Sequence, residues 1–204
     1  MNNNEIINQF LDQLKFEKRY SEHTIKAYEA DLLQFNQYLI DDYETIDFPF
    51  VEGIHVRSFM VFLLEKKITK SSVSRKISSI KSLYKYLLKE QLVETSPVHH
   101  LDTPKQEKRL PVFIKEEHMF ELFHGINFED SFSGCRDKTL LSFLYQTGIR
   151  LSELIGLETA NVRDNEIKVT GKRNKQRIIP LTNNLKDQIK IYLAFKEEFH
   201  SSSK

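Results

Sequence analysis

A single cysteine, Cys135, in a chain of 204 residues excludes an intramolecular disulfide and any cysteine-based metal cluster. Tryptophan is absent altogether. Long apolar runs are missing too: the longest, residues 59–64, falls far short of the roughly 20 residues a spanning helix needs, so no membrane partner is expected. The opening Met1-Asn2-Asn3-Asn4-Glu5 has neither a basic stretch nor an apolar core, so no secretory signal is expected and the cytoplasm is the default. Net charge is also scarce, at +1.

That average hides a segregation. Residues 66–89 contain Lys66, Lys67, Lys70, Arg75, Lys76, Lys81, Lys85 and Lys89 and no acidic residue, whereas Asp41, Asp42, Glu44, Asp47 and Glu52 form a local acidic stretch. A second basic cluster, Lys168, Lys172, Arg173, Lys175 and Arg177, follows much later. One such run is ordinarily a solvated face. Two on a nearly neutral chain fit an electrostatic footprint for a polyanion.

Residues 1–94 read as a domain of four helices. Ile6, Ile7, Phe10, Leu11 and Leu14 mark the first, and Ser21 caps a second carrying Ile25, Tyr28, Leu32, Phe35 and Leu39. The third, about residues 54–66, turns Val56, Phe59, Met60 and Leu63 inward. Ser71 or Ser72 caps the fourth, which carries Val73, Ile77, Ile80, Tyr84, Leu87 and Leu88 on one side and aligns Arg75, Lys81, Lys85 and Lys89 on the other. Pro97, Pro104 and Pro111 then punctuate a linker, residues 95–111. A second domain, residues 112–204, holds a helix near 116–123, a helix ending at Gly148, a β-hairpin over 166–181 and a last helix near 184–199 that ends in a polar tail.

The most informative run is Gln146-Thr147-Gly148-Ile149-Arg150-Leu151-Ser152-Glu153-Leu154. Gly148 suits the left-handed end of one helix, and apolar residues resume at once. Arg150 is thus expected between two packed segments, where a fixed guanidinium suits bidentate binding of a phosphate or carboxylate. Pairing with Glu153 to lock the junction is the structural alternative. The hairpin tip concentrates Lys172, Arg173, Lys175 and Arg177, which repel one another unless an anionic groove receives them.

The Thr147-Gly148-Ile149-Arg150-Leu151-Ser152-Glu153-Leu154 run, with Gly171-Lys172 and then Asn174-Lys175-Gln176-Arg177-Ile178-Ile179-Pro180-Leu181, resembles the tyrosine recombinase (phage integrase) family. Within it, the Xer-type site-specific recombinases are the most similar. Ser21-x-x-Thr24-Ile25-x-x-Tyr28 and the helix from Arg75 to Tyr86 extend the resemblance across the chain.

It implies a mainly α fold with a small β-hairpin: a four-helix, SAM-like core-binding domain followed by part of an α+β catalytic domain. It implies DNA breakage and rejoining through a 3′-phosphotyrosine intermediate, without metal or other cofactor. Arg150 matches the arginine that grips the scissile phosphate, Lys172 the lysine that protonates the departing 5′ oxygen, and Glu153 an acidic support. A preorganised guanidinium stabilises charge growing on the phosphate oxygens, and a lysine on a hairpin can deliver the proton that the leaving alkoxide needs. Arg75, Lys76, Lys81, Lys85, Lys89, Arg173, Lys175 and Arg177 are the expected DNA-binding residues.

The family's His-x-x-Arg motif and C-terminal tyrosine nucleophile have no match here: only His200 follows Lys172 among histidines, and Tyr192 lies among Ile189, Ile191 and Leu193 as a packing residue. The chain is therefore expected to stop partway through the catalytic domain and to be inactive alone. The partner implied is a double-stranded recombination site. The intact protein would act as a tetramer on DNA, with a paralogous recombinase as a possible companion. Chromosome dimer resolution, and with it chromosome partition and cell division, is the favoured role. A phage or transposon integrase, or a non-catalytic DNA-binding module, are the alternatives, and a helical domain for acidic protein partners is a third.

Overall fold

The computed structural model describes residues 2–105, 110, 112–171 and 175–202. It divides into two compact units, Met1–Leu110 and Pro111–Lys204.

The first unit is helical. Helix α1 (Asn3–Asp12) starts from a reciprocal cap in which the Asn2 side chain accepts from Glu5 N and the Glu5 carboxylate accepts from Asn2 N, each at 2.9 Å. It runs on through a wider π turn, Gln13–Glu17. Helix α2 (Glu22–Tyr43) begins at Ser21, whose hydroxyl accepts from Thr24 N, and ends where Glu44 turns left-handed at φ 54°. Helices α3 (Gly53–Glu65) and α4 (Lys70–Lys89) complete the set. The cap of α4 is Thr69, two or three residues ahead of the serines expected from sequence. Its hydroxyl accepts from Ser72 N at 3.3 Å, so Ser72 lies inside the first turn and receives the cap instead of forming it.

Fully buried Phe10, Phe35, Phe59, Leu63, Ile77 and Tyr84 form the centre of this unit. Phe48 joins them from a 3-10 turn, Phe48–Phe50, beside the acidic stretch. Two polar links hold that turn: Tyr84 donates its hydroxyl hydrogen to Phe48 O at 2.8 Å, and Asn3 Oδ1 accepts from Phe48 N at 2.7 Å. Burial pushes the Tyr84 hydroxyl pKa upward, so the phenol stays a neutral donor. The Pro-punctuated segment does not stay clear of the helices throughout. Val98 and Leu101 are buried in the same core, and Lys81 Nζ donates to Leu101 O at 2.9 Å.

The second unit contains α5 (Glu116–Gly125), α6 (Phe132–Thr147), the short α7 (Leu151–Ile155), strands β1 (Glu166–Thr170) and β2 (Gln176–Pro180), and α8 (Asn183–Ser202). The strands pair antiparallel with Glu166 opposite Pro180 and Thr170 opposite Gln176. Alternation turns Ile167 and Val169 into a core shared with Phe143, Ile149, Leu154, Leu185 and Ile189. The polar end expected as a tail continues α8 as far as Ser202. The mainly helical fold with one two-stranded hairpin matches the expectation from sequence. No described helix is long and apolar enough to cross a membrane.

Candidate phosphate-binding site and basic helix

The site in the second unit begins with the end of α6. Gly148 takes the left-handed conformation, φ 59°, and its N–H returns to Leu144 O. Only a residue without Cβ adopts this conformation at no steric cost. Thr147 Oγ1 donates to Phe143 O and accepts from Ile149 N, which fixes the exit direction. Ile149 and Leu154 are buried on either side of Arg150. Leu151 and Ile155 face outward instead, so α7 is anchored along one edge alone.

Arg150 stands at the N-cap of α7, and Glu153 lies one turn on. Glu153 Oε2 accepts from the Arg150 backbone N–H at 3.0 Å, and Oε1 accepts from Arg150 Nη1 at 2.9 Å. From β2, Arg177 donates Nη1 to Oε1 at 2.7 Å and Nη2 to Oε2 at 2.8 Å. A carboxylate has about four lone-pair sites, and these donors fill them. The Glu153 side chain is 4% exposed, whereas Arg150 is 68% exposed.

The chemical consequence is a directed guanidinium. Arg177 spends both terminal nitrogens on Glu153, but Arg150 spends one, leaving Nε and Nη2 without a bond to any described residue. Two guanidinium groups against one carboxylate leave one positive charge in surplus. The two readings of Arg150 available from sequence are therefore compatible. The ion pair with Glu153 exists, and it aims the rest of the fork at solvent. The Arg177 hydrogen bonds, then the Arg150 backbone N–H and guanidinium, hold the Glu153 carboxyl down at about 2 against an ordinary 4.5. The same contact raises the Arg177 pKa.

Gly171 closes the arrangement. A Cβ there would stand 2.8 Å from Glu153 Oε1 and 3.4 Å from Arg177 Nη1. Gly171→Ala is expected to displace the carboxylate and cost about 1–3 kcal/mol, measurable by denaturant unfolding. A stability equal to that of the parent chain would show that the hairpin yields easily at this point. Gly171 N donates to Lys175 O at 2.7 Å, across the base of the loop that carries the basic tip. Lys172 and Arg173 lie outside the described residues, and Lys175 is exposed.

The other expected DNA-binding residues lie on α4. Lys85 is exposed, and Lys89 is exposed within 3.7 Å of Glu17 and 3.6 Å of Glu90. Lys81 is committed to Leu101 O. Arg75 and Lys76 converge on the Asp31 carboxylate, which is 1% exposed. Sequence reasoning missed both Asp31 and Gly171 as determinants. A signal for Asp31 was present: it shares a face of α2 with Tyr28, Leu32 and Phe35, and a carboxylate there needs a cation. Tyr192 stacks on Phe132 with ring centroids 5.9 Å apart. No cluster of side chains suited to a metal occurs among the described residues.

The two units and the guanidinium site define a class. Residues 7–91 match the phage integrase N-terminal SAM-like domain and residues 113–204 match the phage integrase family, so the chain belongs to the phage integrase, or tyrosine recombinase, family. Among curated proteins it is similar to tyrosine recombinase XerC of Staphylococcus carnosus (strain TM300), at 38% identity over 192 residues, 93% of this chain. It spans 64% of that protein's length. In fold it is similar to the Tn1549 transposon integrase in complex with transposon right end DNA, with TM-score 0.73 and 14% identity, covering 91% of this chain and 63% of that one. It is also similar to the XerH site-specific recombinase bound to palindromic difH substrate, with TM-score 0.67 and 18% identity, covering 94% and 58%.

Proposed function

We propose that this chain binds duplex DNA at a recombination site, and that its longer relatives' chemistry, strand breakage and rejoining through a 3′-phosphotyrosine, is the activity it belongs to. The observation that carries the reading is the exposed Arg150 fork held by buried Glu153. The scissile phosphate gains charge on its non-bridging oxygens as a nucleophile attacks, and a guanidinium already fixed in place needs no reorganisation to stabilise it. Glu153 acts through Arg150 and Arg177 as a positioning residue. Lys172, by resemblance, protonates the leaving 5′ oxygen. The covalent phosphotyrosine conserves the energy of the broken ester, so neither nucleotide nor metal is required.

In the first unit, the exposed face of α4 supplies phosphate contacts that set register without reading sequence. The similarity to XerC favours chromosome dimer resolution by a tetramer on DNA. The chain by itself supplies no residue matching the nucleophile, so it binds without cutting.

Fluorescence-anisotropy titration against duplex DNA over a range of salt tests the binding. Lys85→Ala is the cleanest probe, because Lys81 is already occupied by a backbone carbonyl. Its plot of log affinity against log salt should flatten by about 0.9. No binding to any duplex at low salt would remove the proposal. A covalent adduct on a nicked suicide substrate would instead show that a tyrosine in this chain can attack.

A further inference from the structure

Asp31 is buried on the inner face of α2, yet its carboxylate gathers two cations. Lys76 Nζ donates to Oδ1 at 3.0 Å, the Arg75 guanidinium donates to Oδ2, and Ser79 Oγ donates to Oδ2 at 2.8 Å. The Lys76 side chain is 14% exposed and suffices to neutralise one buried acid. Arg75 is then surplus to neutralisation, and its side chain is 52% exposed. A second cation adds a charge-assisted hydrogen bond to the carboxylate but leaves the cluster with a net positive charge.

The second unit has the same composition. There a buried acid, Glu153, also holds two cations, one of them a guanidinium more than half exposed, with one positive charge in excess. A surplus guanidinium whose rotamer is fixed and whose remaining donors reach solvent is what an incoming phosphate requires. Arg75 also stands on the helix that carries exposed Lys85 and Lys89.

We propose that Asp31 is a positioning residue that holds Arg75 as a preorganised phosphate contact of the first unit, a counterpart to Glu153 and Arg150. The inference rests on the DNA-binding reading above and extends it to a residue that touches no DNA.

Charge alone and positioning predict opposite signs for one substitution. Asp31→Asn removes a negative charge beside a DNA-facing helix, so long-range electrostatics would tighten binding. Loss of the anchor weakens it. In anisotropy titrations of the full chain, Asp31→Asn should bind more weakly than the parent. Arg75→Ala should lose about tenfold in affinity and about 0.9 of the salt slope. Arg75→Lys should keep the slope, because the charge remains, but lose affinity for want of the fork. Thermal melting by circular dichroism verifies that each variant is folded. Should Asp31→Asn melt below the titration temperature, the two Arg75 variants decide the matter, since Lys76 still neutralises Asp31 in both. Tighter binding by folded Asp31→Asn, or a parental slope and affinity in Arg75→Ala, overturns the proposal while leaving DNA binding intact. Failure of the parent chain to bind removes both.

Discussion

Asp31→Ala is expected to destabilise the first unit by about 3–5 kcal/mol, the usual cost of removing one partner from a buried charged group. The carboxylate is fully enclosed and accepts from Arg75, Lys76 and Ser79; of these, the Ser79 hydroxyl has a second acceptor in Arg75 O at 3.4 Å. Arg75 can swing into water, but Lys76 is largely buried and would have to drag its ammonium out or lose its proton. For a unit of this size the melting midpoint should fall by at least about 12 °C. Denaturant unfolding of the parent, Asp31→Ala, Lys76→Met and the double variant would isolate the pair. The double variant should recover much of the loss, because an apolar side chain then replaces the stranded cation. A single-variant loss below about 1 kcal/mol would place Asp31 with ordinary exposed ion pairs.

The second large effect concerns acid. Glu153 has a folded pKa near 2 against an ordinary 4.5, the depressed case for a carboxylate. Its contribution is therefore complete above about pH 4.5, drains as pH falls, and is gone below about 2. Glu153→Gln removes the charge at every pH and leaves an amide whose nitrogen faces a guanidinium. The stability gap between parent and Glu153→Gln should be constant from pH 7 to about 5 and shrink steadily from there toward pH 2. A carbon-detected NMR titration of the side-chain carboxyl gives the midpoint directly. A midpoint near 4.5 would mean that Arg177 and Arg150 do not hold the group in solution. DNA affinity of the variant should fall even at pH 7, because two guanidinium groups then repel across the gap that Glu153 bridged.

Much of the architecture was legible in the chain because its causes are local. The helical faces follow from apolar spacing, Ser21 caps α2 as its hydroxyl suggests, and Gly148 ends α6 where only glycine turns left-handed without cost. What escaped depends on distant residues. Asp31 finds its cations 44 and 45 positions later, a distance no local pattern spans. Thr69 displaced the expected serines at the head of α4 because the helix starts earlier, at Lys70, so the Thr69 hydroxyl accepts from Ser72 N. Arg177 was counted with the outward cations of the hairpin tip. Alternation along β2 held the corrective: Arg177 shares a face with half-buried Ile179, whereas Ile178 points away. The side chains at the hairpin tip itself, Lys172 and Arg173, remain readings from sequence.

Asn3 ties the head of α1 to residues far along the chain. Asn3 is 5% exposed, a polar side chain enclosed at the head of α1. Besides holding Phe48, its amide nitrogen donates to Asn36 at 2.8 Å and to Ile46 O at 2.9 Å. Asn3 is thus a keystone set between α2 and the turn that follows it. During synthesis Asn3 cannot take its place until Phe48, 45 positions later, has followed it. Whatever precedes Asn2 must leave its backbone N–H free to meet Glu5.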